Sequence, residues 1–300
     1  MIDQRLVRAS AFVAILVCPW PANACELEPG ISRVVARLER ADTLILDDGS
    51  EAVLSGVLPP VAGLAVDVDT VSWPPTEASR LALEALVGGK TVEIATAGRR
   101  FDRYGRQLVH AFVQGNAGPV WVQGHLVEHG FARAYALPGN LACFNELLAH
   151  EHHARSQGRG HWATGIFQDR DATQTAALFG YRDTFQTLTG RVETVRKIRG
   201  QYVLSFGGDR NSFEAVMIAA RTRKPDGMRL RESDAPMYAY HDLTGKRVRV
   251  RGWIEVHRRP QIRIMDAAMI EVLERDDTPA PGDDTQETVG PKPIPAADPN

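Results

Sequence analysis

Short apolar runs separated by turn signals dominate this chain, and they limit the possible fold more than any other feature of the sequence. From Ser32 the stretch SRVVARLERADTLILDDGSEAVLSGV contains three such runs, divided by AD and by DDGS. An Asp-Gly pair between apolar runs is a strong hairpin signal, because tight hairpin turns need residues that accept positive φ angles. We therefore predict a three-stranded meander here.

A helix is predicted after the meander. The stretch TEASRLALEALVGGK has Thr76 as N-cap, Leu81, Leu83 and Leu86 as apolar face, and two glycines as its stop. The strand pair KTVEIAT and GRQLVHAFV follows, joined by AGRRFDRY, and two more helices are predicted over 120–129 and 142–156. Five strands with a helix between the third and fourth have the connectivity of an OB-fold barrel, whose open face suits strand-like polymers and oligosaccharides.

A second group of strands follows a polar connector over residues 169–188. The stretch GRVETVRKIRGQYVLSFGGDRNSFEAVMIA has turns at Arg199-Gly200 and Gly207-Gly208, and GKRVRVRGWIEVHRRPQIRIMDAAMIEVL supplies further strands. The predicted fold class is therefore mainly β with α, an OB-fold barrel over 25–168 followed by a second OB-like barrel over 189–273.

Residues 1–24 have the pattern of an export signal. Arg5 and Arg8 precede an apolar run, and Ala22 and Ala24 stand in A-x-A spacing before Cys25. That run is much shorter than the roughly 20 residues that a membrane-spanning helix needs. We expect an exported protein, periplasmic or secreted, without a membrane span. A retained anchor or a lipid attached to Cys25 is the alternative.

Removal of this signal leaves an even pair of cysteines. Cys18 is lost with the signal, and Cys25 and Cys143 remain. Because an oxidising compartment favours pairing, we predict that they form a disulfide. The alternative is two unrelated buried thiols.

The end of the chain is acidic and rich in proline. Residues 276–300 hold six acidic residues, one lysine and six prolines, so this stretch carries a net charge of −5 and the rest of the chain +3. Such a composition cannot build a core, and residues 274–300 are predicted to be a disordered tail. A surplus of +3 is small, so an argument for nucleic-acid binding must depend on local clusters of charge.

The first such cluster is FDRYGRQL together with the arginines before it. Arg99, Arg100, Arg103 and Arg106 fall within eight residues, with Tyr104 among them. One guanidinium group can donate two hydrogen bonds to the oxygens of a phosphate. The connection between the two predicted strands is therefore a candidate phosphate site. The alternative is a plain turn, in which Asp102 pairs with a neighbouring arginine while the tyrosine packs flat on the barrel.

The second cluster lies in KRVRVRGWIEVHRR. Basic residues alternate with valines there, so the cations share one face of a predicted strand. Arg249 and Arg251 on that face could follow a phosphate backbone, with Trp253 as a stacking platform. An ordinary solvated strand face is the alternative. His150, His152 and His153 have no matching acid or thiol for zinc, and no cofactor is expected.

Four stretches together resemble the thermonuclease family, whose type member is the calcium-dependent staphylococcal nuclease. They are RADTLILDDGSEAVLSGVLPP, RFDRYGRQLVHAFV, LVEHGFARAYA and ELLAHEHHARSQGRGHW, and they cover about residues 31–167. Residues 189–273 resemble the accessory OB-type domain found behind some exported bacterial members. The resemblance implies cleavage of phosphodiesters by a calcium ion, two arginines on the phosphate, and a glutamate that directs the attacking water.

Only some of the family's active-site residues have counterparts in this chain. Arg106 falls on the second phosphate-binding arginine, Tyr104 on the tyrosine that contacts base or ribose, and Asp42 on the first metal carboxylate.

Four charged positions differ from the family pattern. Val53 stands for the first arginine, Leu58 for the second metal carboxylate and Val61 for the glutamate, while Arg40 replaces a nearby carboxylate. Calcium prefers six to eight oxygen ligands, several of them charged. We therefore expect hydrolysis to be lost or strongly reduced, with binding to single-stranded nucleic acid or another polyanion retained.

Two other functions stay open at the level of sequence. The chain is an active calcium-dependent or recruited-metal nuclease if Asp67 and Asp69 replace the missing carboxylates and an arginine such as Arg40 reaches the phosphate. It is a structural module of the cell envelope if the second barrel and the acidic tail hold a protein partner.

Overall fold

The structure is a computed structural model that describes residues 25–62, 73–217 and 243–273. The predicted export signal and acidic tail lie outside the described residues, and so do Asp67 and Asp69. Within the described part of the chain, none of the helices has the length and apolarity needed to cross a membrane.

The first domain is a barrel with three helices. Its elements in chain order are β1 (Glu28–Arg40), β2 (Thr43–Leu46), β3 (Glu51–Leu54), β4 (Val57–Leu58), α1 (Pro74–Val87), β5 (Thr91–Thr96), β6 (Gln107–Gly115), β7 (Gly118–Trp121), α2 (Val122–Glu128), β8 (Arg133–Ala134) and α3 (Phe144–Ser156).

Five of these strands close on themselves. The sheet has the order β3-β2-β1-β5-β6-β7, and β3 also pairs in parallel with β6, Val53 lying opposite Leu108. This closure confirms the predicted barrel. The barrel's apolar interior, which includes Val35, Leu44 and Val109, is fully buried.

Helix α1 follows the predicted segment but differs in its start and its buried face. It begins at Pro74, and the hydroxyl of Thr76 donates to the carbonyl of Pro60 at 2.7 Å instead of capping the helix. Proline is favoured in the first helical turn because its missing N–H has no partner there anyway. Leu83 is buried as predicted, but Leu81 is 53% exposed, because the buried stripe passes through Val87 instead.

The predicted disulfide is confirmed. Cys25 is bonded to Cys143, which lies at the start of α3, with a Cα–Cα distance of 5.1 Å and a sequence separation of 118. The bond ties the chain just before β1 to the helix layer.

The second domain is a curled sheet. Its elements are β9 (Arg170–Asp171), α4 (Thr175–Leu178), β10 (Phe185–Arg191), β11 (Thr194–Ile198), β12 (Gln201–Ser205), β13 (Glu214–Met217), β14 (Arg247–Val256), β15 (Pro260–Ile264) and β16 (Ile270–Val272). The strand order is β11-β12-β13-β15-β14-β10-β9, with β13 and β15 parallel. Because β10 leads almost directly into β11, the two together correspond to the first strand of an OB-type barrel. Counted in this way, the sheet has the connectivity of that fold.

The second domain begins earlier in the chain than the sequence suggested. Residues 169–188 were predicted to be a connector, yet Arg170 and Asp171 pair with Leu188 and Thr189 inside the second sheet. Phe185 starts β10, which pairs with β14 along its whole length. The polar composition of this stretch hid its strands, because they are short and one of them pairs in parallel.

The two domains share buried contacts around β8. The backbone N–H of Ala134 donates to Glu151 of α3 at 2.7 Å, and Arg251 of β14 donates to the carbonyl of the same alanine at 3.1 Å. Strand β8 in turn pairs with β4, with Leu58 opposite Arg133. The second domain therefore contacts β8, and β8 is hydrogen-bonded to β4, which holds Leu58 at one of the family's active-site positions.

Candidate nucleic acid-binding site

The connection between β5 and β6 is a turn organised by Asp102. One carboxylate oxygen, Oδ1, accepts the backbone N–H groups of Tyr104 at 2.8 Å and Arg106 at 3.0 Å. Gly105 completes the turn with a φ of 81°, a conformation that glycine adopts without strain. The DRYGR sequence thus encodes a fixed turn rather than a loose loop.

The same aspartate holds the guanidinium group of Arg106. Nε of Arg106 donates to Oδ2 of Asp102 at 2.8 Å, and a second nitrogen lies 2.7 Å from that oxygen. Burial alone would raise the pKa of the Asp102 carboxyl, but the bonds from Arg106 and the two backbone N–H groups lower the pKa below its usual value. Asp102 is therefore ionised at neutral pH, and Arg106 is oriented before any ligand arrives.

Tyr104 projects away from the barrel. Its side chain is 66% exposed, and the guanidinium carbons of Arg103 and Arg106 lie 4.7 Å and 5.4 Å from its ring centroid. The alternative of a plain turn predicted an ion pair of Asp102 with an arginine and a Tyr104 ring packed flat on the barrel. The ion pair is present, but Tyr104 does not pack on the barrel. An exposed aromatic ring flanked by two cations offers a base-stacking surface next to phosphate-binding groups.

The two earlier arginines of the cluster have protein partners. Arg99 donates to the carbonyl of Pro138 at 2.9 Å, and Arg100 forms an exposed ion pair with Glu28 at 2.8 Å. Exposed pairs of this kind contribute little stability and are easily exchanged for another anion. Arg100 can thus contact a ligand, while Arg99 mainly ties the turn to the segment before α3.

Sequence reasoning missed Phe101, which is 52% exposed at the start of the same turn. The residue stood in the stretch FDRYGRQL, but an apolar residue beside a strand is usually buried. Its exposure adds a second aromatic surface to the turn.

Asp42 occupies the tight turn between β1 and β2, and its carboxylate already has partners. Oδ1 accepts the hydroxyl of Thr43 at 2.9 Å and lies 3.7 Å from Nε of Arg40. Arg40 thus places a positive charge beside the one carboxylate that the family pattern retains. Such a charge opposes the approach of a second cation.

Two further positions of the family's active site, the first arginine and the second metal carboxylate, hold apolar residues. Val53 lies between Thr43 of β2 and Leu108 of β6, and Leu58 follows on β4. Within the described ranges, no group of three or more His, Cys, Asp or Glu side chains is placed to hold a metal ion. One carboxylate with a neighbouring arginine does not fit a calcium ion, which needs six to eight oxygens.

The second predicted cluster is divided between the interior and the surface. Arg251 is fully buried and bonds both oxygens of Glu151 at 3.2 Å, and the Arg249 side chain, 13% exposed, bonds Asp169 at 2.8 Å. These two arginines therefore have little or no surface left for nucleic acid, which corrects the sequence-based prediction. The strand alternates as predicted, but its basic face packs on the first domain. Of the three residues predicted to bind nucleic acid here, only Trp253 stays exposed.

The histidines of α3 contact glutamate carboxylates. His150 and His153 approach Glu128 at 2.9 Å and 3.4 Å, and Arg159 bonds the same carboxylate at 2.8 Å. His152 bonds Glu271 of the second domain at 2.8 Å. These contacts connect elements of the fold rather than gather around a common centre.

The geometry defines a class of protein, a closed OB-type barrel with a preformed cationic and aromatic turn. Residues 74–164 match a family described as Staphylococcal nuclease homologue. Residues 74–164, together with the closed five-strand barrel, thus form an SNase-like domain, which indicates a nuclease-family or nucleic-acid-binding function. A comparison with curated proteins found no match.

Proposed function

We propose that this chain is an exported thermonuclease-like protein that binds single-stranded nucleic acid, or another polyanion, with hydrolysis lost or strongly reduced. One contrast carries the proposal. The Asp102 turn orients Arg106 and exposes Tyr104, whereas the carboxylate of Asp42 is engaged by Thr43 and faces Arg40.

The turn has the two features that single-strand binding requires. Arginines supply contacts to the phosphate backbone, and their release of counterions makes affinity fall with salt, by a slope of about 0.7 per phosphate for single strands. An exposed ring such as Tyr104 stacks on any base, at roughly 1–3 kcal/mol per base. Together they favour a sequence-tolerant ligand.

Catalysis by the family's chemistry needs groups that this chain lacks at the corresponding positions. An arginine on the transition-state phosphate and an acid that directs the water each contribute about 100-fold to 10,000-fold in rate. Val53 and Val61 stand at those two positions, and Leu58 stands for a metal carboxylate. The family match itself begins at residue 74, after the segment that holds these positions.

Export is supported by the disulfide and by the sequence of residues 1–24. A bond between Cys25 and Cys143 persists in an oxidising compartment and is rare in the cytosol. The signal pattern ends directly before Cys25.

The binding test uses a fluorescent oligothymidine of about 30 nucleotides, long enough for two OB-type barrels. We expect affinity that persists in chelator, weakens steeply with salt and drops several-fold in Arg106→Ala. Arg37→Ala is the matched control, because Arg37 is 62% exposed and also ion-paired, with Glu39. Absence of binding to any polyanion at low salt contradicts the proposal.

An active nuclease is the second candidate, favoured by the family match. Purified protein incubated with single-stranded DNA and calcium distinguishes the two functions, with Asp42→Ala as the control variant. Cutting that disappears in Asp42→Ala supports the nuclease.

A further inference from the structure

We propose that the second domain has its own binding face for single-stranded nucleic acid, on the outer side of its curled sheet. This second-barrel face consists of Arg196, Arg259, Arg263 and Trp253. The inference extends the proposed function, but it depends on different residues.

The strand registers place members of this face in one row. Arg196 of β11 pairs with Val203, which pairs with Val216, which pairs in turn with Arg263 of β15. Residues paired across a sheet lie on the same face of it. Their chain neighbours Leu204, Ala215 and Ile262 point to the other side and are fully buried, so the row lies on the outer side of the sheet, with its exposed residues at the two ends and Val203 covered between them at 6% exposure.

Trp253 extends the row onto the next strand. Ile254 of β14 is paired with Ile262 of the antiparallel strand β15, so Trp253, one residue before Ile254, and Arg263, one residue after Ile262, both lie on the outer side. The two side chains are 39% and 49% exposed. An exposed indole next to a guanidinium group on a neighbouring strand is a stacking platform beside a phosphate contact.

Two turns converge at the other end of the face. Arg196, from the β11–β12 hairpin, and Arg259, from the turn between β14 and β15, each donate to the same oxygen of Glu214 at 2.7 Å. In an OB-type barrel the ligand lies on the second and third strands between such loops. Strands β12 and β13 occupy that position here.

Among the residues that the structure describes, the charge of this region is positive. Glu214 and Glu255 are the acids that pair with its three arginines, while the turns that flank it add Arg199 and Arg258, both exposed. Arg199 has a φ of 51° in a two-residue turn with Gly200, a position that usually holds Asn, Asp or Gly. The hairpin thus presents a cation at its tip despite a conformational cost.

An aromatic series leads from this face to the first domain. The ring of Trp253 lies 6.0 Å from that of Phe185, which lies 5.5 Å from that of Tyr135. The backbone N–H of Tyr135 donates to the carbonyl of Gly56, next to β4. Phe185 is 4% exposed, so this series is a buried contact that fixes Trp253 against the first domain.

Single-stranded nucleic acid fits this face better than an acidic protein does. Trp253 and the arginine beside it match a base followed by a phosphate, and the partly buried Val216 adds apolar surface in the same row. A polyanion without bases would use the arginines and leave the indole unused. This difference makes Trp253 the discriminating residue.

The test compares full-length variants on the same fluorescent oligothymidine of about 30 nucleotides. We expect Arg263→Gln to reduce affinity and to make the salt dependence shallower by about 0.7. Trp253→Ala should lower affinity at least about fivefold and remove the quenching of tryptophan fluorescence by the oligonucleotide. Arg191→Gln is the matched control, because this exposed arginine of β10 lies at the opposite end of its strand from Phe185.

Unchanged affinity and salt slope in the folded Trp253→Ala/Arg263→Gln double variant overturn the inference, as does equal binding of heparin with no quenching by oligothymidine. Arg263→Lys, which keeps the charge, should retain most of the affinity. Loss of binding in Arg106→Ala alone, with the double variant unaffected, supports the proposed function and rejects this face. The reverse result supports this face and rejects the Asp102 turn as a binding site.

Discussion

Arg251 of the second domain lies fully buried against Glu151 of the first, with its guanidinium nitrogens 3.2 Å from both carboxylate oxygens. Arg155 bonds the same carboxylate at 2.9 Å, and Arg251 also contacts Glu271 of its own domain. Burial by itself lowers the pKa of Arg251, but the two glutamates raise the pKa above its usual value. Arg251 is therefore charged, and its buried contact with Glu151 joins the two domains.

Removal of one partner should destabilise the protein strongly. Arg251→Met leaves Glu151 buried with one cation fewer, and the loss of one partner from a buried ion pair typically costs about 3–5 kcal/mol. Urea unfolding should show this loss, whereas Arg191→Met, on the exposed end of β10, should change the free energy of unfolding by less than about 0.5 kcal/mol. Equal losses in the free energy of unfolding for the two variants would contradict a stabilising role of the buried contact between Arg251 and Glu151.

Acid should weaken the first barrel through His110. This histidine of β6 is 3% exposed, and burial lowers its pKa from 6.5 to about 4. Between about pH 6.5 and 4, His110 is protonated in the unfolded chain but neutral in the folded barrel. The free energy of unfolding therefore decreases as pH falls through this window, by roughly 3 kcal/mol in all.

The measurement is the free energy of unfolding in urea at several pH values across that window. His110→Phe should flatten the dependence, while the control His257→Gln, whose side chain is 65% exposed, should not. An unchanged slope in folded His110→Phe rules out this histidine as the source.

The disulfide should contribute to stability. Because the Cys25–Cys143 bond closes a loop with a separation of 118 residues, its loss should cost about 2–5 kcal/mol. Cys25→Ser and Cys143→Ser should lower the melting temperature to the same extent, and a reductant should then have no further effect. A large difference between the two variants would show that one cysteine has a separate packing role.

Calcium should not stabilise the wild-type fold. A ligand that binds the folded state raises the melting temperature according to its concentration and affinity. Because Asp42 is engaged by Thr43 and faces Arg40, millimolar calcium should leave the melting temperature unchanged. An increase of the melting temperature with calcium that is absent in Asp42→Ala would show that Asp42 belongs to a working metal site.

The sequence was sufficient for features that depend on local pattern. Turn signals and alternation identified the closed barrel and its strands, and the cysteine pair was found because so few thiols remain after the signal. The DRYGR turn was identified for the same reason, since its hydrogen bonds lie within five residues of one another.

Tertiary contacts explain what the sequence did not reveal. An alternating strand predicts which residues share a face, but not whether that face meets solvent or another domain. Arg251 is therefore on the predicted face yet buried, because Glu151 lies 100 positions earlier in the chain. The second-barrel face was missed for the same reason, since Arg196 and Arg259 meet only through Glu214 on a third strand.

The most direct test of the central claim follows one end-labelled single strand, with millimolar calcium or with chelator, for both binding and cutting. We predict an intact strand in both conditions, bound with equal affinity, and several-fold weaker binding by Arg106→Ala. Rapid degradation of the strand by the pure wild-type protein, stopped by the chelator, contradicts the claim.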